Sequence, residues 1–318
     1  MSCQKGILER PQDHATIFAL DLRDSAAAAD CLSELWGDVT ERLHDWYSAQ
    51  NLTITLGFGI PLFEKLGRME AKPRALKLMP GWEGDAFDPK EAQADLIVQV
   101  CSDERSVNYY VERAVLRHLS RAFTLKTYYR GFSLPESRGV LGFVDGTGNP
   151  KGDARLPVVL IGDEEERYRG GSYLVLRKIR EDLDRWERLT VDEQERVIGR
   201  RKVDSARFDP PETTPPNSHR EKSSVRTDGG EVEILRRSFP FASPQEAGLI
   251  FICFVRGLSQ YEAIKDQMVS RSTRGRDVGK DAIEEFYTAV SGGYYFVPPE
   301  PGHDGYVGDF LFEVEDEG

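Results

Sequence analysis

Histidine is scarce in this 318-residue chain, which has only five, so each imidazole can be weighed as a candidate for chemistry. His44 and His118 lie within helical patterns, and His14 and His303 lie near the two ends. His219 differs because it interrupts a long polar loop in which no packing pattern requires an imidazole. Loops that a rigid scaffold holds in place concentrate ligands and catalytic groups. His219 is therefore the histidine that the sequence singles out.

A glycine-rich segment, residues 142–150 with the sequence GFVDGTGNP, is the second candidate. Its glycines permit positive φ and a close approach of the backbone to a flat or anionic group, and Asp145 is fixed between two tight turns. A plain Asx turn at Asn149 would give a similar pattern. Neither of the glycine fingerprints GxxxxGK[ST] and GxGxxG is present. The residues alone leave both interpretations open.

The third candidate is residues 234–241, ILRRSFPF, in which two charges interrupt an apolar strand. Arg236 and Arg237 there could form a salt-bridged edge strand or serve a functional site. A shift of the strand by one residue would exchange their faces.

The first half of the chain alternates short strands with amphipathic helices, and these elements must position the candidate residues. Alternating or continuous apolar runs predict strands, and apolar residues three and four apart predict helices. The order β-α-β-β-α-β that results is ferredoxin-like. The predicted elements are strands over 15–22, 52–57, 95–102 and 124–132, and helices over 26–49 and 104–123, the second opening after Asp103.

The second half repeats this order loosely. Thr190 is a predicted N-cap, and a loop of about thirty residues over 202–231 interrupts the regular pattern. The fold class expected is α+β, with two ferredoxin-like halves over 1–140 and 141–318, antiparallel sheets and helices packed outside. The predicted elements are strands over 171–179, 232–237, 248–255 and 293–297, and helices over 190–199, 259–269 and 281–289.

The charge and composition of the chain limit the classes of partner and the location that are expected. The formal net charge is -12 and the pI is about 5.1, so nucleic acid and anionic membranes are not expected as main partners. No run of about 18 apolar residues exists, and no apolar secretory leader opens the chain. The four cysteines include no CxxC pair, which excludes a zinc ribbon and covalent haem attachment through CxxCH. A reduced, cytoplasmic location is expected.

The three segments together resemble the dye-decolorizing peroxidase family of haem proteins. Gly142, Asp145 and Gly146 match that family's GxxDG motif. His219 and Arg236, 17 residues apart, stand where the family has its proximal ligand and its distal arginine. The similarity extends from about residue 16 to residue 298. Three separate segments thus agree in order and spacing.

The resemblance implies one haem b per chain, held in the C-terminal half, with His219 as the ligand of the haem iron. Such a ligand needs a hydrogen-bond acceptor for its other ring nitrogen. In relatives an aspartate on a later helix does this, and Asp281 matches its position. Asp277 stays open as an alternative.

The resemblance also implies a peroxidase that uses hydrogen peroxide to oxidise bulky aromatic, dye-like reductants through a ferryl intermediate. Splitting a peroxide requires a proton transfer and a cation near the developing negative charge. Asp145 is expected to be the acid-base group and Arg236 the stabilising cation. Which of the two dominates stays open, and Arg237 replaces Arg236 if the strand register shifts by one.

Further expectations concern the walls of the haem site. Arg200 matches a position that meets a haem propionate, and backbone amides of the glycine-rich segment could serve near the haem edge. Many relatives have an acid where Gly148 stands, and some have asparagine at Ser238. The remaining predicted cofactor contacts are the segment residues Gly146, Thr147, Gly148 and Asn149 and the apolar residues Phe251, Ile252 and Phe254.

Two other functions compete with this one. A haem carrier, haem-handling protein or sensor would use His219 without peroxidase turnover, although it would have no use for Asp145 and Arg236. A haem-free scaffold would bind a small anion at the glycine-rich segment. A homo-oligomer is also expected, because ferredoxin-like units commonly associate.

Overall fold

The computed structural model describes residues 2–227, 229–273, 275–302 and 305–312. In its first part, short helices and long strands alternate as the apolar patterns predict. The elements are α1 (Lys5–Leu8), β1 (His14–Leu22), α2 (Ala28–Asp38), α3 (His44–Trp46), β2 (Thr53–Gly59), α4 (Ile60–Leu66), α5 (Pro89–Ala92), β3 (Leu96–Ser102), α6 (Arg105–Leu119) and β4 (Phe123–Phe132).

The second part is less regular, and a long stretch between α9 and β8 carries only short elements. The elements are α7 (Leu156–Val159), β5 (Ser172–Glu181), α8 (Leu183–Trp186), α9 (Val191–Ile198), α10 (His219–Ser223), β6 (Arg226–Thr227), β7 (Gly230–Glu231), β8 (Leu235–Arg236), β9 (Phe239–Ala242), β10 (Ala247–Val255), α11 (Leu258–Val269), β11 (Ser272–Thr273), β12 (Arg276–Asp277) and β13 (Tyr287–Val297).

One antiparallel sheet carries both halves. Its strand order is β4-β1-β3-β2-β13-β5-β10-β8, and β9 also pairs with β10. Strands β1 to β4 have the 4-1-3-2 order of a ferredoxin-like unit. Strands β13, β5, β10 and the pair β8 and β9 repeat that order, so the expected α+β class with two ferredoxin-like halves is confirmed. The halves meet where β2 pairs with β13, at Phe58 opposite Phe296.

The sheet curves until its two ends meet, and this closes an apolar interior. Strand β4 packs beside β9. The Tyr129 hydroxyl of β4 donates a hydrogen bond of 2.9 Å to Ser291 Oγ of β13, on the far side of the interior. Ile17, Ile97 and Tyr295 lie within this interior. Helices α2, α6 and α11 cover the outer face, and the functional cavity lies on the α11 side.

Two predicted helices differ from the structure. The helix expected over 26–49 is broken by a π-helical turn at Val39–Leu43. The helix expected over 281–289 is wrong: one 3-10 turn at Ala282–Glu285 is followed directly by β13. Pairing of β13 with β5, from Tyr287 opposite Glu181 onward, overrides the local helical pattern there.

The predicted cap of α9 is confirmed. The backbone N–H of Glu193 donates to Thr190 Oγ1 at 3.3 Å, and the N–H of Thr190 donates to Glu193 Oε2 at 2.8 Å. This reciprocal capping box fixes the start of the helix, and Gly199 ends it in the left-handed conformation. Within the described ranges, no helix combines the length and apolarity that a bilayer crossing needs.

The contact that closes the sheet can be tested at Gly131. A Cβ added there would lie 2.4 Å from Phe239 Cβ, an atom that cannot move without its strand. Gly131→Ala is therefore expected to lower the free energy of unfolding by about 1–3 kcal/mol, as overpacking does. Urea unfolding measures this. Gly37→Ala, in α2 with open space around the added methyl group, is the control and is expected to be neutral or stabilising.

Candidate active site

A cavity of about 450 Å³ lies against the outer face of β5 and β10, under α11. It brings together chain segments that are far apart in sequence: the glycine-rich segment, the start of α10, and strand β8. The sequence-predicted residues that line it are Asp145, Thr147, Gly148, Arg200, His219, Arg236 and Phe251.

His219 is the first residue of α10, and Ser218 before it is the N-cap. The turn that carries it is anchored on both sides. The backbone N–H of Ala282 donates to the carbonyl of Asn217 at 2.9 Å, and buried Lys222 donates from Nζ to the carbonyl of Ser270 at 2.7 Å. The loop predicted as irregular thus presents His219 from a fixed position.

Asp281 is the hydrogen-bond partner of His219. Its Oδ2 lies 2.8 Å from His219 Nδ1, and its side chain is wholly buried. The other oxygen, Oδ1, accepts from the backbone N–H of Ile283 at 3.1 Å, which fixes the carboxylate. Since Nδ1 is engaged, Nε2 is the ring nitrogen left for coordination. The alternative Asp277 is exposed and lies beside Arg271 instead, so it does not serve His219.

Asp145 and Arg236 meet on another wall of the cavity. Arg236 Nη1 lies 3.7 Å from Asp145 Oδ1. The pairing of Arg236 with Cys253 sets the register of β8, and it sends Arg236 into the cavity. Arg237 instead donates to the carbonyl of Glu9 at 2.7 Å, so the one-residue shift considered from the sequence does not occur. The pair can hold a proton on the carboxylate and a positive charge beside it.

Gly146 and Asn149 do not line this cavity. They line a smaller adjoining cleft of about 230 Å³, which shares Asp145 and Arg236 with it. Asn149 holds the backbone of Arg236 at both ends: its Nδ2 donates to the carbonyl at 2.9 Å, and its Oδ1 accepts from the N–H at 3.0 Å. The expected direct contact of Gly146 and Asn149 with a cofactor stays a prediction, and in this structure Asn149 positions Arg236.

Phe254 and Ile252 do not line the cavity either. Successive residues of a strand face opposite sides of the sheet. Phe251 and Leu249 face the cavity, while Ile252 and Phe254 belong to the closed interior of the sheet. The apolar run of β10 gave no sign of which face held the cavity.

Arginines gather on one side of the cavity. Arg200, Arg207, Arg220 and Arg236 all line it. Burial lowers the pKa of Arg200, and the charges of Arg220, Arg207 and Arg236 lower it further. Such a cluster suits an anionic group that would relieve the repulsion. Sequence reasoning missed Arg207, which lies in the irregular loop where no pattern distinguishes it.

A buried polar cluster lies on the sheet side of the cavity. Lys265 Nζ lies 2.5 Å from Glu284 Oε1 and donates to the Tyr287 hydroxyl at 3.1 Å. The Tyr287 hydroxyl in turn donates to Glu284 Oε1 at 2.6 Å. Arg177 donates to the Tyr261 hydroxyl at 3.1 Å, and burial raises the pKa of Tyr261 to about 12.

Sequence reasoning missed this cluster. The signal was a charge that directly follows a buried apolar run, as Arg177 follows YLVL in β5.

This is the site of a redox or ligand-binding protein in which a carboxylate-bound imidazole faces a cavity with a carboxylate–arginine pair. Comparison with known proteins agrees. The family model described as "Dyp-type peroxidase, N-terminal" matches residues 4–133, and the one described as "Dyp-type peroxidase, C-terminal" matches residues 136–301. The chain belongs to the Dyp-type peroxidase family.

Individual relatives cover most of the chain. A dye-decolorizing peroxidase of Rhodococcus erythropolis is 32% identical over 288 residues, which are 89% of this chain and 82% of the relative. A dyp-type peroxidase protein from Shewanella oneidensis superposes with a TM-score of 0.86 at 27% identity and covers 99% of both chains. A DypB variant from Rhodococcus jostii RHA1 in complex with heme superposes with a TM-score of 0.84 at 28% identity, over 92% of this chain and 95% of that one.

The polar cluster beside the cavity can be tested at Lys265. Lys265→Met leaves the Glu284 carboxylate without its cation, and breaking a buried ion pair costs about 3–5 kcal/mol. We expect a decrease of about that size in the free energy of unfolding, measured with urea. The double variant Lys265→Met with Glu284→Gln is expected to recover most of the loss, because no unpaired charge remains. Equal stability of the single and double variants would contradict the ion pair.

Proposed function

We propose that the protein is a haem-dependent peroxidase that uses hydrogen peroxide to oxidise bulky aromatic reductants. Membership of the Dyp-type peroxidase family supports the activity and the cofactor. The observation that carries the assignment of residues is the cavity in which the Asp281-bound imidazole of His219 and the Asp145–Arg236 pair occur together.

The residues around the cavity fit a haem. A neutral imidazole whose second nitrogen donates to a carboxylate is the donor that haem iron takes in peroxidases. The cavity volume lies in the usual range of about 300–1,000 Å³ for small-molecule sites. Phe251, Ile264 and Met268 offer apolar wall, and Arg200 and Arg207 offer cations for the propionates.

When bound, haem supplies the iron at which peroxide is cleaved and the electrons that this cleavage consumes. His219 Nε2 would hold that iron, and Asp281 would keep the imidazole oriented and electron-rich by accepting from Nδ1. Asp145 would take the proton from one peroxide oxygen and return it to the other, which leaves as water. Arg236 would stabilise the negative charge that develops on the leaving oxygen. Asn149 keeps Arg236 in place for this role.

The same pair of residues separates a peroxidase from a haem carrier. Carriage requires a ligand and a cavity, which His219 provides alone. Asp145 and Arg236, 3.7 Å apart inside the cavity, supply the proton exchange and the positive charge that peroxide cleavage requires and carriage does not. The pair therefore favours turnover.

The remaining expectations stay proposals. The division near residue 140 is supported by the bounds of the two family matches. A homo-oligomer is supported by the tendency of ferredoxin-like units to associate. A reducing, cytoplasmic location is supported by the four cysteines, all of which are free thiols.

The positioning of His219 is tested by Asp281→Asn. An amide in place of the carboxylate is expected to lower the peroxidase rate of the haem-loaded protein about 10- to 100-fold, the usual effect of losing such a partner. Stopped-flow reaction with peroxide measures this. Asp277→Asn is the matched control, since Asp277 is exposed and apart from His219; an equal loss in both variants would contradict the assignment.

The role of Arg236 is tested by Arg236→Leu. Removing the cation should reduce kcat/KM for peroxide about 10²- to 10³-fold, while haem binding persists. Steady-state oxidation of a phenolic dye, with haem content read from absorbance, separates the two effects. Arg237→Gln serves as the comparison, because Arg237 bonds to the N-terminal segment and is expected to leave kcat/KM within about threefold. Full turnover in Arg236→Leu would contradict the role assigned to Arg236.

A further inference from the structure

Glu181 is a carboxyl group of the cavity that the proposed mechanism does not use. It is the last residue of β5, and it lines the cavity with Arg177 and Ile179, which share its face of the strand. Its Oε2 atom is enclosed and has no hydrogen-bond partner among residues that the structure describes. An enclosed carboxyl oxygen without a partner is costly unless the group is neutral or a bound molecule supplies the partner.

Apart from Arg207, the cations that line the cavity have other partners. Arg236 lies beside Asp145 at 3.7 Å, and Lys265 lies beside Glu284 at 2.5 Å. The other titratable groups around the cavity are paired as follows: Arg177 with Asp85, Tyr261 with Arg177, Tyr287 with Glu284, Arg200 with the Ser205 carbonyl, His219 with Asp281, and Arg220 with Glu221. Arg207, Glu231 and Glu233 are exposed and lie at the cavity margin.

Burial and a neighbouring negative charge both act on Glu181. Burial, and then the charge of Asp145, raise the pKa of Glu181 to about 8. Two carboxyl groups of one cavity avoid ionising together, so one keeps its proton. Asp145 has Arg236 beside it at 3.7 Å, whereas Glu181 Oε2 has no partner among the described residues. Glu181 is therefore the protonated member at neutral pH.

We propose that Glu181 is a second acid of the peroxide site, whose protonated carboxyl group donates a hydrogen bond to the water or peroxide held in the cavity with Asp145. This inference rests on the proposed function. The two carboxyl groups then have complementary roles. Asp145 accepts the proton of the inner peroxide oxygen and passes it to the outer one, which leaves as water. Glu181 keeps its own proton and supplies the hydrogen bond.

The protonation state is tested without haem. Protein labelled with ¹³C at the glutamate side-chain carboxyl groups is titrated by NMR as wild type, Glu181→Gln and Glu187→Gln. One resonance is expected to titrate near pH 8 in the wild type, to be missing in Glu181→Gln and to remain in the variant of exposed Glu187. If every glutamate titrates in the ordinary range near pH 4.3, the inference is overturned.

Thermal unfolding of the haem-free proteins shows whether the variants fold. The pKa of Glu181 is higher in the folded than in the unfolded protein, so its stabilising contribution is complete below the unfolded value and is lost as pH rises through about 8. Glu181→Gln removes this dependence. Its Tm is expected to match wild type near pH 4 and to exceed it near pH 9; an unchanged difference across this range would count against the inference.

The role of the donor is tested with haem-loaded protein by the rate of reaction with peroxide between pH 5 and pH 10. The wild-type rate is expected to fall as Glu181 ionises near pH 8, and Glu181→Gln, which keeps an N–H donor, is expected to lose that fall. Glu181→Ala should react about tenfold more slowly at pH 7, the effect of one hydrogen bond. The same alkaline fall in wild type and Glu181→Gln would overturn the role.

The two proposals fail separately. A wild-type protein that takes up no haem overturns the peroxidase function, whatever the NMR titration shows. A haem-loaded wild type that turns over while Glu181 titrates in the ordinary range overturns the inference about Glu181 alone.

Discussion

The hydrogen bond between His219 and Asp281 is the contact on which the site depends. It joins two segments 62 residues apart, and it leaves one defined nitrogen of the ring for a ligand. The backbone reinforces it: Ala282 bonds to Asn217, and the N–H of Asp281 bonds to the carbonyl of Met268 at the end of α11. The imidazole is thus fixed to the second ferredoxin-like unit although it lies in a stretch with little regular structure.

A cavity with this many ionisable groups must also balance its charges. Low-dielectric surroundings strengthen every interaction between them. Pairs such as Arg177 with Asp85 and Lys265 with Glu284 are internally compensated, whereas the arginines at the margin repel one another. A dianionic cofactor would compensate that excess. The cavity is therefore suited to an anionic ring system with apolar faces, which is the chemistry of haem.

Much of the fold was predictable because its strands and helices have strong local patterns. The first ferredoxin-like unit followed from periodicity, and the N-cap at Thr190 followed from its residue type and position. The strand that begins at Tyr287 did not, because its local pattern is helical and pairing with β5 decides its structure.

The residues of the site were likewise predictable only in part. The scarcity of histidine singled out His219, the resemblance to the family pointed to Asp145 and Arg236, and the structure brings all three to one cavity. The sequence could not tell that Phe254 faces away, because a fully apolar strand does not reveal which face borders a cavity. Glu181 and Lys265 were missed because their importance comes from burial and from partners distant in sequence.

The most direct test of this account is a hemin titration of wild type and His219→Gly, each with and without added imidazole, followed by absorption spectroscopy. The account predicts saturation of wild type at one haem per chain with a histidine-ligated spectrum. It predicts a changed spectrum in His219→Gly that imidazole restores, because the cavity persists and only the ligand is missing. Identical spectra of wild type and His219→Gly without imidazole would show that His219 is not the iron ligand.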